Sequence, residues 1–487
     1  MYHAPNKRRK RAQLAFIYSL MALAVILIVA ALILIIQGYR YNRYDGKLEQ
    51  GGLVQFNSRP AGASVTVDDL TLANRTASKI TLTSGAHTVT ISREGYTTWK
   101  KTVTVKPGGV LWLNYAQLLP VTLKPTTAAT YIGATTPLVT PNHKELALIE
   151  AGTQPVITMT SLNTDKPETT KLTIPTGVLT APGEGVSSDF SLVAWDTSNR
   201  YLIVKHMYGD KVEYLSVDTD DLARSRNITA TLGVDISSVR YSVADSGILY
   251  ILTNTHELRR ANLSQSTLSG PLAASVAEFS MPNRDTVIYS TLPDESGVRA
   301  VGYVSSGLTT SKQLMSYKNM KDTPVHASIG TYYGEQYAVI SHGEVIDIYQ
   351  GDTPGSDAKP AVSLKKVASY TAPGGVDYVG FSPGENRFAY AAKGTSILTY
   401  DLELMQKSSV TLQSSLSRDV EWMDGYHIVT TAGGRGYFYD FDGTNGQLFT
   451  SNSTGLPAVL ADGNTYLYYF VQTDSDIRLQ RIKTVTE

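Results

Sequence analysis

The chain has 487 residues, 42% of them hydrophobic and 18% charged, and its 43 Lys and Arg residues balance its 43 Asp and Glu residues. This length exceeds what one hydrophobic core usually supports, so we expect two or more domains, and the composition excludes a disordered protein. Cysteine is absent, which excludes disulfides, thiolate metal sites and a cysteine nucleophile, and suits a bacterial surface.

Residues 1–13 form a basic tail that contains the run Lys7, Arg8, Arg9, Lys10 and Arg11. The rest of the chain has 38 Lys and Arg residues against 43 Asp and Glu residues, so we expect no nucleic-acid partner. Basic clusters that flank a membrane span stay on its cytoplasmic side. The tail therefore predicts a cytoplasmic N-terminus.

Residues 14–36, LAFIYSLMALAVILIVAALILII, contain no charge over 23 positions. At about 1.5 Å per residue, a helix of this length spans about 30 Å of hydrocarbon. The alternative is a cleaved signal peptide, but its apolar core is usually only about 7–15 residues long and ends in small residues. We therefore expect a retained single-pass anchor in the cell membrane, a linker at 37–51, and the bulk of the chain outside the cytoplasm.

Residues 52–119 alternate apolar and polar side chains with the period of two that is typical of strands. The alternation is clearest in SVTVDD, HTVTIS and KTVTVKP, and turns rich in Gly and Pro separate these segments. The pattern predicts a small β-sandwich of five or six short strands. We expect Tyr96 and Trp99 in its core rather than in a sugar-binding platform.

This stretch resembles the PEGA domain family in three separated elements, SRPAGASVTVDD, SGAHTVTISREGY and VTVKPGG. Pro60, Gly62 and Ala63 match the family, whereas Ala61 stands where its name-giving Glu would be and Asp69 replaces the usual turn Gly. The resemblance implies an extracytoplasmic, non-catalytic accessory β-sandwich, commonly near a membrane anchor.

Residues 120–487 repeat one pattern, in which an aromatic or apolar residue precedes a polar turn, an apolar strand and a second strand. The copies contain or begin near Val139, Trp195, Tyr241, Phe279, Gly330, Phe381, Trp422 and Val459. Repeats of roughly 40–45 residues with four short strands are the blades of β-propellers. Eight copies favour eight blades; seven is the alternative, because VTLKPTTAATYIG (121–133) could donate a closing strand instead.

The copy FSPGENRFAYAAKGTSILTYDL (381–402) is similar to the repeats of WD-type and TolB-type β-propellers, with Gly384 in the turn where those repeats usually carry Asp-Gly. The predicted fold is thus mainly β. It comprises an N-terminal transmembrane helix, a small PEGA-like β-sandwich at 52–119, and a seven- or eight-bladed β-propeller at 120–487.

The sequence contains no P-loop, zinc-protease, nucleophile-elbow or Rossmann motif, so we expect no cofactor and no enzymatic activity. The best metal candidate is DFDGTNG, where Asp440 and Asp442 could ligate calcium, although an EF-hand-type loop needs a Glu where Ser451 stands. We favour a tight Asp-Gly turn. The eight histidines are scattered, but distant residues can converge in a propeller channel, so a dispersed catalytic group stays open.

The predicted function is that of a non-catalytic, membrane-anchored extracytoplasmic binding or scaffold protein of the cell envelope. Its propeller and PEGA-like domain would engage a protein, a peptide or a glycan; this link from fold to binding is an analogy. The alternative is a cell-envelope hydrolase or lyase with its active site at the mouth of the propeller channel. A third possibility is an envelope-assembly component whose helix contacts other membrane proteins.

Overall fold

The computed structural model describes residues 7–36, 38–42, 47–151, 155–282, 286–305, 308, 310–353, 363–416, 418–474 and 476–485. The chain divides into two compact units, Met1–Thr122 and Leu123–Thr486.

The first unit begins with helix α1, Lys7–Ile36. The helix starts inside the predicted basic tail, because Lys and Arg are good helix formers. Its Arg11–Ile36 portion is long and apolar enough to cross a membrane, and none of its most apolar stretch is buried against the described protein. These properties are those of a membrane anchor or a signal sequence.

The predicted linker 37–51 contains a β-hairpin of strands β1 (Tyr39–Asn42) and β2 (Lys47–Gln50). Backbone hydrogen bonds close its base: the Gly38 N–H donates to the Ile35 carbonyl at 3.0 Å, and the Gly51 N–H donates to the Gly38 carbonyl at 2.9 Å. Gly38 has a φ of +81°, a conformation that glycine adopts without steric cost. The hairpin therefore starts and ends beside the C-terminal end of α1.

Seven strands follow in the first unit: β3 (Gly52–Arg59), β4 (Ser64–Val67), β5 (Leu70–Thr71), β6 (Ser78–Leu82), β7 (Gly85–Ser92), β8 (Trp99–Val105) and β9 (Val110–Gln117). They form a three-stranded sheet in the order β6-β3-β9 and a four-stranded sheet in the order β5-β4-β7-β8. The buried side chains alternate along the strands, as the sequence pattern predicted. Trp99 is 0% exposed and Tyr96 is 8% exposed, which confirms that both aromatic residues belong to the core.

The second unit is built from four-stranded sheets. Strand β10 (Thr126–Tyr131) comes first, and the next sheet consists of β11 (Thr135–Val139), β12 (Glu145–Ile149), β13 (Val156–Ser161) and β14 (Thr169–Thr173). The following sheet consists of β15 (Ser188–Trp195), β16 (Tyr201–Tyr208), β17 (Lys211–Asp218) and β18 (Arg226–Asn227). The third consists of β19 (Ile236–Tyr241), β20 (Ile248–Thr253), β21 (Leu258–Asn262) and β22 (Thr267–Leu268). Helix α2 (Ile228–Leu232) follows β18. Within each sheet consecutive strands pair in antiparallel fashion.

The next two sheets repeat this order with β23 (Val276–Ser280), β24 (Thr286–Thr291), β25 (Arg299–Ser305) and β26 (Lys312–Tyr317), and then with β27 (Val325–Tyr332), β28 (Glu335–His342), β29 (Val345–Asp352) and β30 (Ser363–Thr371). Two more sheets consist of β31 (Tyr378–Phe381), β32 (Phe388–Lys393), β33 (Ser396–Asp401) and β34 (Gln406–Thr411), and of β35 (Glu421–Trp422), β36 (His427–Thr430), β37 (Gly436–Asp440) and β38 (Gln447–Thr450). The last three strands are β39 (Val459–Leu460), β40 (Tyr466–Gln472) and β41 (Ile477–Lys483). The last three strands are completed by β10, which pairs with β41. The described residues of this unit thus form eight four-stranded sheets, and residues 121–133 do supply a closing strand.

Hydrophobic clusters connect each sheet to the next one along the chain. The cycle is closed by a cluster in which Tyr131 and Phe470 of the last sheet pack with Leu146 and Leu148 of the first complete sheet. Because both faces of each sheet are covered by neighbours, the strands carry continuous buried runs, such as Phe388–Ala392.

The turn after the third strand of a sheet is held by a buried aspartate in several copies. Asp401 accepts hydrogen bonds from the backbone N–H groups of Glu403 and Leu404 and pairs with Arg387 at 2.8 Å. Asp218 occupies the matching place and pairs with Arg200 at 2.7 Å. Asp218 also accepts hydrogen bonds from the N–H groups of Asp220 and Asp221, so both aspartates hold the turn that follows their strand.

Candidate functional site

The first strands of three consecutive sheets, together with part of the second strand β24, line a cavity of about 160 Å³. The polar residues that line it are Glu278, Ser280, Ser290, His326, Asp377 and Asp419. The aromatic residues Phe279, Tyr289 and Tyr378 also line it, but they belong to the hydrophobic clusters between sheets. Glu278 lies on β23, His326 on β27 and Tyr378 on β31, while Asp419 lies just before β35. We call this the first-strand cavity.

Two of the three carboxylates of this cavity have basic partners. The His326 Nδ1 atom lies 2.9 Å from Glu278 Oε1, a hydrogen bond that joins neighbouring sheets. Asp377 lies 3.6 Å from the Lys393 ammonium group, and both side chains are about half exposed. These contacts position the two carboxylates and leave them partly open to solvent.

Asp419 differs from the other two carboxylates because its hydrogen-bond partners are neutral. It accepts hydrogen bonds from the Tyr390 hydroxyl at 3.1 Å and from the Val420 N–H at 2.7 Å. Burial nevertheless raises the pKa of Asp419 above its ordinary value, because a low-dielectric environment disfavours the charged form. Asp419 therefore retains its proton to a higher pH than an exposed aspartate.

A second titratable carboxyl group, that of Glu421, lies beside the cavity. Glu421 and Arg418 line a smaller space that shares Asp419 with the first-strand cavity. Burial raises the pKa of Glu421 to about 7, although Arg418 Nε lies 3.3 Å from its Oε1 atom. The Oε2 atom is enclosed and has no hydrogen-bond partner among the described residues. Such a carboxyl group exchanges its proton near neutral pH.

A different arrangement lies on the sheet of β15 to β18. The Ser188 Oγ atom is 3.1 Å from His206 Nε2, and His206 Nδ1 is 2.8 Å from Glu213 Oε1. The three residues come from adjacent strands, because His206 on β16 pairs directly with Glu213 on β17 and Ser188 begins β15. We call this set the Ser188 relay. Its order of hydroxyl, imidazole and carboxylate is that of an activated serine nucleophile.

The histidine and glutamate of the relay are rigidly held. His206 is 1% exposed and its ring stacks on Phe190 with centroids 4.3 Å apart. Glu213 also accepts hydrogen bonds from Thr180 and Asn227. Although burial opposes ionisation, the hydrogen bonds from His206, Thr180 and Asn227 lower the pKa of Glu213. The ionised carboxylate therefore orients the imidazole so that Nε2 faces Ser188.

The proposed calcium ligands lie in the turn after β37. Asp440 is fully buried and accepts a hydrogen bond from the Asn445 side chain at 2.9 Å, while Asp442 accepts one from the Thr444 hydroxyl at 2.6 Å. Within the part of the chain that the structure describes, no group of three or more His, Asp or Glu residues could hold a metal ion. These bonds are those of a structural turn, and calcium binding by Asp440 and Asp442 stays a prediction.

The basic cluster that the sequence predicts to lie on the cytoplasmic side is part of α1. Lys7, Arg8, Arg9, Lys10 and Arg11 form the first turns of α1. The structure carries no membrane, so their assignment to the cytoplasmic side stays a prediction.

Sequence reasoning missed the residues of the first-strand cavity and of the Ser188 relay. Glu278 and His326 are 48 positions apart, and Ser188 and His206 are 18 apart, so no local motif marks either set. The available signal was positional: Glu278, His326 and Glu421 lie on first strands of the repeat and Asp419 lies just before one.

Comparison with known proteins supports the PEGA resemblance expected from the sequence. Residues 52–118 match the PEGA domain family. Similar solved structures include the β-propeller domain of Cps50 (Swd1) from Myceliophteria thermophila, with 10% identity, coverage of 74% of this chain and 100% of that chain, and a TM-score of 0.40. An oligogalacturonate lyase in complex with manganese has 9% identity, coverage of 74% and 97%, and a TM-score of 0.42. No curated protein matches the chain.

Proposed function

We propose that this protein is a non-catalytic, membrane-anchored binding protein of the cell envelope. Helix α1 is retained as a single span with its N-terminus in the cytoplasm, because the basic cluster Lys7–Arg11 precedes its apolar run at 14–36. The PEGA match at 52–118 supports a β-sandwich outside the membrane. The cyclic packing of four-stranded sheets supports an eight-bladed β-propeller with WD-like repeats beyond it.

The topology can be tested by protease protection. We expect a protease added outside intact spheroplasts to digest both units and to spare an epitope tag placed before Lys7. Protection of both units with loss of the tag would reverse the orientation, and release of the whole chain after cleavage behind residue 36 would identify α1 as a signal sequence.

The observation that carries the binding proposal is the composition of the first-strand cavity. Three carboxylate residues, Glu278, Asp377 and Asp419, line a space of about 160 Å³. Carboxylates attract cations, and the space suits one side chain better than an oligosaccharide. We therefore assign it to a basic side chain of a protein or peptide ligand, in preference to a glycan.

Purified full-length protein in detergent micelles can be tested against peptide and glycan arrays. We expect salt-sensitive binding of Lys- or Arg-containing peptides that is lost in the combined variant Glu278→Gln, Asp377→Asn and Asp419→Asn. The matched control neutralises three carboxylates of another cavity, of about 640 Å³, by Asp165→Asn, Glu168→Gln and Asp220→Asn. Glycan binding without peptide binding, or equal effects of the two combined variants, would refute this assignment.

A hydrolase is a second candidate function, and the Ser188 relay is the observation that favours it. In that function His206 would accept the Ser188 proton as the hydroxyl attacks an acyl group, and Glu213 would stabilise the resulting imidazolium. Fluorophosphonate probes label such serines. Labelling that disappears in Ser188→Ala and His206→Gln, but persists in the control Ser191→Ala, would support the hydrolase. Absence of labelling in the parent protein would exclude the serine-hydrolase function and leave the binding function as the proposal.

A further inference from the structure

The outer face of the sheet β6-β3-β9 has an ordered change in polarity. On β9, Val110, Trp112 and Asn114 point away from the core, because the intervening Leu111, Leu113 and Tyr115 are buried. Val110 is 46% exposed and Trp112 is 42% exposed, so two large apolar side chains lie uncovered next to each other.

The neighbouring strand β3 shows the same order. Its outward residues are Leu53, Gln55 and Asn57, which alternate with buried Val54 and Phe56. Because β3 and β9 are parallel, Leu53 pairs with Val110 and Gln55 pairs with Trp112. Along both strands the face therefore changes from aliphatic, through a row that contains Trp112, to asparagine.

The aliphatic end of this face lies at the end of α1. Gly51 donates its N–H to the carbonyl of Gly38, next to the helix, and accepts the Gly108 N–H at 2.9 Å. The Leu53 N–H donates to the Gly109 carbonyl, also at 2.9 Å. Backbone hydrogen bonds thus tie the helix end to the starts of both β3 and β9.

This connection depends on close backbone approach. A Cβ atom at Gly51 would lie 2.3 Å from the Leu82 carbonyl oxygen, and one at Gly52 would lie 2.5 Å from the Lys106 carbonyl oxygen. Larger residues would therefore separate the strands that meet beside the helix. The two sheets of β3 to β9 are thus joined to α1 by a short, hydrogen-bonded base.

The dimensions match those of a bilayer surface. Successive outward residues on a strand are about 7 Å apart, and the headgroup layer on one side of a bilayer is roughly 5–8 Å thick. The Leu53–Val110 row would then lie deepest, Trp112 at headgroup level, where tryptophan is enriched, and Asn57 and Asn114 in water. Lys79, which is exposed and pairs with Gln55 from β6, adds a cation at the level of Trp112, where anionic headgroups lie.

We propose that this outer face, defined by Leu53, Val110 and Trp112, docks against the headgroup region of the same bilayer that α1 enters. The inference rests on the proposed function, because it requires α1 to be a retained membrane span. It adds a second membrane contact, which fixes the sheets of β3 to β9 on the membrane surface.

The absence of cysteine allows this contact to be mapped with single-cysteine variants of the full-length chain. Val110→Cys, Trp112→Cys, Asn57→Cys and Asn114→Cys are labelled with an environment-sensitive fluorophore and reconstituted in vesicles of phosphatidylcholine and phosphatidylglycerol. We expect labels at 110 and 112 to show blue-shifted emission, quenching by brominated lipid and protection from iodide. Labels at 57 and 114 should show none of these effects.

A label at Val25→Cys, in the middle of α1, separates the two proposals. If that label is protected from iodide while 110 and 112 are as accessible as 57 and 114, the docking inference is wrong and the anchor stands. If the label at 25 is itself accessible to iodide, both are wrong. Because Val110 and Trp112 are replaced separately, loss of folding in one variant, detected by circular dichroism, leaves the other to decide.

Discussion

Replacement of Glu421 by glutamine should change how the stability of the second unit depends on pH. Burial raises the pKa of Glu421 from its usual 4.5 to about 7, so the folded protein holds this proton more tightly than the unfolded chain. Stability from this group is therefore fully present below pH 4.5 and decreases as the pH rises towards 7, because the unfolded carboxyl ionises first. Above pH 7 the loss is complete.

The magnitude follows from the difference between the two pKa values. At about 1.4 kcal/mol per pKa unit, the parent protein loses about 3 kcal/mol between acidic and mildly alkaline pH. For a unit the size of Leu123–Thr486, the unfolding entropy is about 0.8 kcal/mol/K, so this loss corresponds to about 4 °C in Tm. Glutamine is neutral at every pH and avoids the cost.

The assay is thermal unfolding of the full-length protein and of Glu421→Gln in the same detergent, followed by circular dichroism between pH 4.5 and 8.5. We expect nearly equal Tm values at pH 4.5 and a Tm that is about 4 °C higher for the variant at pH 8.5. Glu184→Gln, in an exposed loop, is the matched control and should follow the parent at every pH. Parallel curves for Glu421→Gln and the parent would refute the assignment of a buried, protonated carboxyl group.

Two further predictions concern the packing of the second unit. Arg387→Met leaves the buried Asp401 without its cationic partner and should lower the free energy of unfolding by about 3–5 kcal/mol, or the Tm by about 4–7 °C. The control Lys144→Met, which removes an exposed ion pair, should change the Tm by no more than about 1 °C. Equal changes in Tm for the two variants would contradict the role of the buried pair. Gly330→Ala places a Cβ atom 2.9 Å from the ring of Phe381 on the adjacent sheet and should destabilise by about 1–3 kcal/mol. Adding Phe381→Leu to Gly330→Ala should restore part of the lost stability, measured by thermal unfolding. A double variant no more stable than Gly330→Ala alone would show that the two residues do not clash.

Local sequence patterns were sufficient for the elements of this fold. The apolar run at 14–36 lies within α1, and the alternation around Val65 and Ile91 corresponds to paired strands with those residues buried. The repeat around Phe381 corresponds to the sheet β31 to β34, and Gly384 adopts a φ of +81° in its turn. These features depend on side-chain periodicity and on turn conformation, both of which act over a few residues.

The candidate site was less accessible to sequence reasoning. Asp440 and Asp442 stood out because they are close in the chain, yet their carboxylates hold their own turn. Glu421 was not predicted from the sequence, because an isolated Glu next to Trp forms no recognisable motif. Its raised pKa results from burial beneath residues of other segments, and burial depends on the packed structure.

The sequence by itself thus determined the helix, the alternating strands, the PEGA-type segment and the repeating unit, because each depends on interactions between near neighbours in the chain. Only the tertiary structure decided that β10 pairs with β41, that Glu278 meets His326 and that Ser188, His206 and Glu213 form a relay. These contacts depend on strand register and on the cyclic packing of whole sheets. A shift of one residue in register would turn every side chain of a strand to its opposite face.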